Sequence, residues 1–353
     1  MSVRVGVLGF AHGHVGVYCR EWRAHPEYGV TIAAGWDRDD ARLAAAAAEH
    51  CLEPRAEVAD LLATPGLEAV VIGAETCHHA ALAQQAAAAG LAIVLQKPLA
   101  LTMPEADRIV AAVARAGVPF TLAWQMRVDP QNVRTKALLA EGILGKVFMV
   151  RRRHGLNMHM WPNYTSLWHV QPALNRDMWA DDASHAIDYV YWLLGLPESV
   201  TAEIMSLGDP RVPMDNGVAI YRYPGGPLAE VCCSFTCPAA ENTVEVVAEK
   251  GSIILNYGDV PSANVPRPAG APGLKWYTTE TRDWTLSDIP SPATHGARIA
   301  GLARPLAEFL QGRRRPIASA EEGRAVLRMT LACHLSTREG RRVRIDDPAI
   351  DAM

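Results

Sequence analysis

At 353 residues, the chain exceeds what one ordinary hydrophobic core needs, which points to two domains or one α/β domain with a large elaboration. Its 49% hydrophobic and 20% charged residues are ordinary for a globular protein, and a formal net charge of −4 supplies no electrostatic footprint for nucleic acid or an anionic membrane. No apolar run approaches a membrane span, and the seven cysteines, odd in number and without zinc-ligand spacing, read as small buried hydrophobes of a reducing compartment.

The first element, "VRVGVLG", follows the initial residues with no cleavage site between, so the expected location is the cytoplasm. Four similar runs succeed it: "VTIAAGWD", "LEAVVIGA", "LAIVLQKP" and "VPFTLAWQ". Short, β-branched and without alternation, they are strands buried on both faces. The stretches between them, including "ARLAAAAAEHC", "HHAALAQQAAAAG" and "MPEADRIVAAVARAG", are helix formers. Strand and helix in regular alternation predict a doubly wound parallel sheet over residues 1–125. After "RVDPQNVRTKALLAEGILGKV" the runs alternate apolar with polar: "KVFMVRRRHG", "SVTAEIMSLG", "GVAIYRYPGG", "LAEVCCSFTCPA", "NTVEVVAEKGSIILNYGD". One face buried and one wet predicts a second, α+β domain over 126–353, built on a large open, mostly antiparallel sheet. Residues 258–274, rich in proline and glycine, read as a surface loop, and "QGRRRP" at 311–316 as a solvated one. A last helix, "AEEGRAVLRMTLACHLSTREG", which can pack back toward the first domain, and a short strand "RVRI" close the chain.

The first strand runs into "GVLGFAHGHVGVYC", residues 6–19. A glycine-rich turn between a parallel strand and a helix lets backbone N–H groups reach a pyrophosphate at the positive helix end. Measured from Gly9 against G-x-G-x-x-G, Ala11 and His14 stand where glycines are usual, and Gly13 is displaced by one. The candidate phosphate loop is therefore Gly9, Phe10, Ala11, His12, Gly13 and His14. Asp37, ending the second strand, suits a ribose 2′-OH and would repel a 2′-phosphate, which favours NAD over NADP. Arg38 beside it suits adenine or phosphate. The structural alternative for Asp37 is an N-cap of the helix that follows.

Farther along, "DDASHAIDYVYWLLG", residues 181–195, is apolar nearly all round, yet Asp181, His185 and Asp188 fall at i, i+4 and i+7 on one helical stripe. Buried charge is costly unless paired or used. Taken singly, Asp181 and Asp182 can serve the helix dipole, His185 can be a satisfied core histidine, and Lys97 in "LQKP" a surface lysine at a strand end.

Three stretches in order resemble the Gfo/Idh/MocA family of glucose–fructose oxidoreductase and inositol dehydrogenase. "VVIGAETCHHAALAQQAAAAGLAIVLQKPLA" resembles the stretch ending in the family's Glu-Lys-Pro motif, "WQMRVDP" its Arg-x-x-Pro, and "DDASHAIDYVYWLLG" its Asp-x-Gly-x-His-x-x-Asp helix. The likeness continues into "VVAEKGSI" and the last helix. Gln96 replaces the usual Glu, Ala183 the usual Gly, and Glu75-Thr76 the common Pro-Asn. The resemblance implies a Rossmann domain, convergence of Lys97, Asp181 and His185 beside a nicotinamide, and cofactor contacts from Glu75, Thr76, His79, Gln96, Lys97 and Gln125. It assigns His185 the hydroxyl proton, a role its near-neutral unperturbed pKa suits. Lys97 hydrogen-bonds the same oxygen, and Asp181 orients the imidazole or holds a neighbouring hydroxyl. Asp188 becomes structural, pairing with a basic residue of the other domain.

The resemblance also implies a sugar, polyol or derivative as substrate, and a homodimer or homotetramer assembled through the outer face of the second sheet. Residues 151–179 concentrate histidines and aromatics suited to carbohydrate. Arg127, His154, Trp161, Tyr164, Trp168 and His169, with Lys97, Asp181 and His185, are the substrate candidates. The histidine pairs lack a zinc pattern, and no metal is expected. Two rival readings share the motifs: an NAD-dependent glycoside-cleaving enzyme that oxidises its sugar transiently, and a non-catalytic dinucleotide-binding regulator, for which retention of all three reacting groups has no use.

Overall fold

The computed structural model describes residues 2–239, 241–258 and 270–353, so most of the loop expected over 258–274 lies outside the described residues. The chain divides into two compact units, Met1–Gln125 with Ala173–Asn175 and Ile299–Leu327, and Met126–Pro172 with Arg176–Arg298 and Arg328–Met353.

In the first unit six strands, β1 (Val3–Leu8), β2 (Val30–Trp36), β3 (Glu53–Pro54), β4 (Ala69–Ile72), β5 (Ala92–Leu95) and β6 (Phe120–Leu122), form one parallel sheet in the order β3-β2-β1-β4-β5-β6. Every residue of β4 and β6 is buried, as continuous apolar runs require. Five helices intervene: α1 (His14–Ala24), α2 (Asp40–His50), α3 (Val58–Leu62), α4 (His79–Ala88) and α5 (Met103–Ala116). Asp39 caps α2, and Thr102 with Glu105 forms a capping box on α5, which stops at Gly117 in the left-handed region. The outer edge of β6 is covered rather than left open: Leu122 N–H donates to Ala318 O, and Ile317 N–H to Thr121 Oγ1. Strand order reverses at β1 and β4, and the carboxyl ends of strands flanking such a point make a ligand crevice in doubly wound sheets.

The second unit begins with α6 (Pro130–Ala140), capped by Asp129, and the long strand β7 (Val147–Gly155). After α7 (Pro172–Asn175), most of which belongs to the first unit, come a π-helical turn over Trp179–Ala183 and α8 (Ser184–Leu194). Seven strands follow, β8 (Ser199–Met205), β9 (Asn216–Arg222), β10 (Leu228–Ser234), β11 (Thr243–Ala248), β12 (Gly251–Asn256), β13 (Leu274–Thr278) and β14 (Trp284–Leu286). Helix α9 (His295–Ala300) leads into the first unit, which holds α10 (Ala303–Leu310) and the first part of α11 (Ala320–Glu339); the end of α11 and β15 (Val343–Arg344) belong to the second. The sheet order is β14-β13-β12-β11-β7-β10-β9-β8-β15, with β7 and β10 its parallel pair and its other pairings antiparallel. One face is covered by α8, packed on β7 and β10, and by α11, where Tyr221 Oη donates to Met329 O; the end of α11 also caps the edge of β8, where Ser336 and Thr337 accept the N–H groups of Ala202 and Ile204. The opposite face leaves Met149, Val218, Ile220 and Leu228 exposed, on neighbouring strands in register.

Two expectations need correcting. All seven cysteines are free, but three are buried, three intermediate and Cys51 exposed, so they are not uniformly core hydrophobes. The sequence reading also omits β3, β13 and β14.

Candidate active site

In the first unit the turn after β1 depends on two glycines. Gly9 has φ +92°, and a Cβ there would sit 2.5 Å from the backbone N and Cα of Ala74. Gly73 is as constrained: its Cβ would meet Val15 Cγ2 at 2.3 Å, so this gap lets α1 approach the end of β4. Close helix–strand packing, the task of the fingerprint's third glycine, is thus done from another strand, which accounts for His14 standing at the third position. Gly9 N–H donates to Trp36 O (2.7 Å), Gly73 N–H to Leu8 O (3.0 Å) and His12 N–H to Gly73 O (2.9 Å), tying the loop to both neighbours. Gly13, the N-cap of α1, is exposed with nothing within 4 Å of its Cβ position, and α1 has neither a side-chain cap nor an acid in its first turn. An uncapped positive helix end behind an unobstructed glycine fits a pyrophosphate.

Asp37 is engaged more fully than the sequence implies. Its Oδ2 accepts from Phe10 N–H (2.7 Å) and Arg42 Nε (2.8 Å), and its Oδ1 from Asp39 N–H (2.9 Å) and Arg42 Nη2 (2.7 Å). Arg42 Nη2 reaches on to Glu75 Oε1 (2.8 Å). The N-cap alternative falls to Asp39, which accepts from Ala41 and Arg42 N–H. Arg42, which sequence reasoning missed, offsets the very charge expected to discriminate against a 2′-phosphate. Arg38 lies against His78, and the Phe10 ring turns toward Gly35 and His50.

At the end of β5, Lys97 is 3% exposed, which removes the surface-lysine alternative. Gln96 before it is fully buried and donates to Tyr18 Oη (3.0 Å), whose proton burial holds on well above the usual tyrosine range. His79 sits with Nδ1 2.9 Å from Pro98 O and Nε2 3.2 Å from Ala74 O, and burial depresses its pKa to about 4. It braces the loop after β5 against the loop after β4, where the resemblance implied a cofactor contact. Thr76 Oγ1 donates to Asn175 Oδ1, and Gln125 is buried after β6.

In the second unit the carboxylates around the start of α8 each meet a base. Asp181 Oδ2 lies 2.8 Å from His169 Nδ1, with the Trp168 ring stacked on that imidazole at 3.9 Å. Asp182 meets His154 Nε2 through Oδ2 (3.1 Å) and His185 Nε2 through Oδ1 (3.5 Å). Asp182, three residues before His185, is thus a neighbour of that ring, while the sequence reading gave Asp181, at i+4, the task of orienting the imidazole or holding a neighbouring hydroxyl. A π-helical turn advances its residues by a smaller angle than an α-turn, so the α-helical stripe does not extend through residues 179–183. Asp182 is a functional candidate the sequence reading passed over, although i+3 neighbours meet as readily as i+4.

Asp188 takes Arg127 in a bidentate pair, Nη2 to Oδ1 at 2.7 Å and Nε to Oδ2 at 3.0 Å. Both side chains are buried and both belong to the second unit, so the partner expected from the other domain comes from the same one. Arg127 is the residue expected at substrate, and Asp188 is one of its partners. His154, another substrate candidate, is 2% exposed, as buried as Lys97 and His185. Tyr164 is buried too, its hydroxyl pushed up to about 12 by burial, while Trp161 is exposed and donates to Asn157 Oδ1 (3.1 Å). Among the described residues no cluster of three or more His, Cys, Asp or Glu is arranged to hold a metal, and no helix is long and apolar enough to cross a membrane.

Comparison with known proteins matches residues 3–123 to the oxidoreductase family GFO/IDH/MocA, NAD-binding Rossmann fold, and residues 133–254 to the GFO/IDH/MocA C-terminal domain. The chain is 27% identical to D-apiose dehydrogenase of Paraburkholderia graminis over 90% of its own length and 84% of that protein's. It is 25% identical to an uncharacterized oxidoreductase of Escherichia coli, over 63% of its own length and 62% of that protein's. A solved structure of levoglucosan dehydrogenase, in complex with NADH and levoglucosan, superposes with a TM-score of 0.80 or better, at 0.84, over 98% of this chain and 100% of that one, at 18% identity.

Proposed function

The chain belongs to the Gfo/Idh/MocA oxidoreductase family, and from that membership we propose that it is a nicotinamide-dependent dehydrogenase acting on a secondary hydroxyl of a sugar, polyol or derivative. What carries the reading is the buried imidazole of His185 beside a carboxylate, in a chain matched to this family across both domains. The names of the relatives, an apiose and a levoglucosan dehydrogenase, support the substrate class.

Removing hydride from a carbinol carbon requires that the hydroxyl proton leave as well. His185 takes that proton in oxidation and returns it in reduction. Lys97 donates a hydrogen bond to the same oxygen and stabilises its developing negative charge, a role for which its burial is suited. Asp181, with His169, holds a neighbouring hydroxyl. When bound, the nicotinamide supplies the hydride acceptor, or the donor in the reverse direction. The uncapped start of α1, with Gly9 and Gly13, would hold the pyrophosphate, and Asp37 with Glu75 would face the adenosine ribose. NAD is the proposed cofactor, because the two carboxylates at that end outnumber the one cation, Arg42, that pairs with both of them.

The test follows absorbance of reduced nicotinamide with NAD or NADP and a panel of sugars, inositols and glycosides, with products resolved by chromatography. The expected result is a sustained rise with a sugar or polyol, reduced by about 100-fold or more in Lys97→Ala and His185→Ala. Glycoside cleavage without net reduced cofactor replaces the proposal with the transient-oxidation reading. Silence despite tight dinucleotide binding replaces it with the regulator.

A further inference from the structure

The pairing of Asp182 joins two elements. Arg152 and His154, two apart on β7, point to the same buried face of the sheet. Asp182 leaves the π-helical turn, and His185 the first turn of α8, which packs on β7. Exposures of 2% for His154, 8% for Asp182 and 4% for His185 place all three away from bulk water.

We infer that Asp182, itself held by His154, is the positioning residue for His185, and that the arrangement makes His185, and not His154, the imidazole that takes a proton. The inference rests on the dehydrogenase reading only for what His185 does with that proton.

Hydrogen-bond direction carries the argument. A guanidinium can only donate, so Arg152 Nη2, 3.5 Å from His154 Nδ1, makes that nitrogen an acceptor. The proton of a neutral His154 then resides on Nε2 and is donated to Asp182 Oδ2. Protonating His154 would set a second N–H against the arginine and bring like charges together. His185 faces the other carboxylate oxygen through its own Nε2. Asp182 therefore accepts from one ring fixed as neutral while its charge favours the imidazolium form of the other. In neutral His185 the same contact keeps the proton on Nε2 and leaves the basic lone pair on Nδ1.

Cys233 on β10, also packed against α8, is a thiol held neutral by burial. Asp181 is turned to His169, and the Phe235 ring lies edge-on to His154. Arg152 itself is stacked near Tyr257 and Tyr189, fixed as a cation on the far side of His154.

The experiment is nitrogen NMR of histidine-labelled protein, with His185→Gln identifying the His185 signals by their loss. In the wild-type chain neutral His185 is expected to be protonated at Nε2. In Asp182→Asn its titration midpoint should fall by about one pH unit or more and the tautomers should mix. His154→Gln, whose amide nitrogen stands in for the Nε2 donor, should preserve both properties. An Nδ1-protonated neutral His185 in the wild type overturns the inference without any appeal to a variant's folding. So does an unmoved midpoint in folded Asp182→Asn. With a turnover substrate, Asp182→Asn should lower kcat far more than it changes KM, and displace the acid limb of kcat/KM by the shift NMR records. The expected NMR result with no turnover on any substrate would remove the dehydrogenase reading and leave the positioning intact.

Discussion

Arg42 holds two carboxylates, Asp37 and Glu75, at the end of the sheet where an adenosine ribose is proposed to bind. Removing its charge leaves both acids uncompensated, and two anions repel a 2′-phosphate more than a 2′-hydroxyl. Arg42→Ala should therefore increase the preference for NADH over NADPH by about tenfold, equivalent to about 1.4 kcal/mol, read from nicotinamide fluorescence titrations of the two cofactors. An unchanged ratio would mean that Arg42 only organises Asp37. At Arg127 and Asp188 the pairing is fully buried, so loss of one partner strands a charge. Arg127→Met should cost about 3–5 kcal/mol in urea unfolding, and Arg127→Met with Asp188→Leu should recover most of it. The sequence singles out Asp37, Lys97 and His185 as candidates because their residue types suit the chemistry and their places follow strand ends or a motif. Arg42 was not legible, since one arginine in the first turn of an Ala-rich helix looks like a solvated residue. Asp182 was hidden by the choice of i+4 over i+3.

Caps and periodicity made most elements readable, and the same physics accounts for the ones that were not. β3 is two residues long at a sheet edge and contains Pro54, which cannot donate to a ladder, so it carries no apolar run to detect. β13 mixes aromatic residues with Lys275 and β14 is three residues long, both beyond a proline-rich stretch of sequence, and their pairing is decided by strand neighbours rather than by pattern. The turn over Trp179–Ala183 has no composition signal distinct from the α-helix it precedes. For α2 the local account is testable: Asp39, not Asp37, satisfies the helix N-terminus. Asp39→Ala should lower stability by about 1 kcal/mol and Asp39→Asn much less, by chemical denaturation. Equal losses in the two variants would assign the effect to charge instead of the cap.

At the scale of the whole molecule, the two kinds of hydrophobic patterning separated a sheet buried on both faces from one with a wet face. The face of the second sheet that bears Met149, Val218, Ile220 and Leu228 is the one on which the family resemblance implies subunit contact. Ile220→Glu should shift the protein toward monomer in analytical ultracentrifugation, and an unchanged sedimentation coefficient would exclude this face from assembly. Acid stability depends on the opposite kind of residue, the buried base. His79 has a folded pKa of about 4 against 6.5 for the free side chain, because burial penalises its cation. Below pH 6.5 the unfolded chain takes up a proton that the folded chain refuses, so stability falls as the pH drops toward 4 and levels off beneath it. The whole span corresponds to a loss of at most about 3 kcal/mol. His79→Gln keeps a donor for one of the two carbonyls and cannot titrate, so its unfolding free energy should change less between pH 7 and pH 4.5 than that of the wild type, by roughly 2 kcal/mol. Parallel pH dependences in the two proteins would show that other groups set the acid limit and that His79 is already protonated in the folded state at the lower pH.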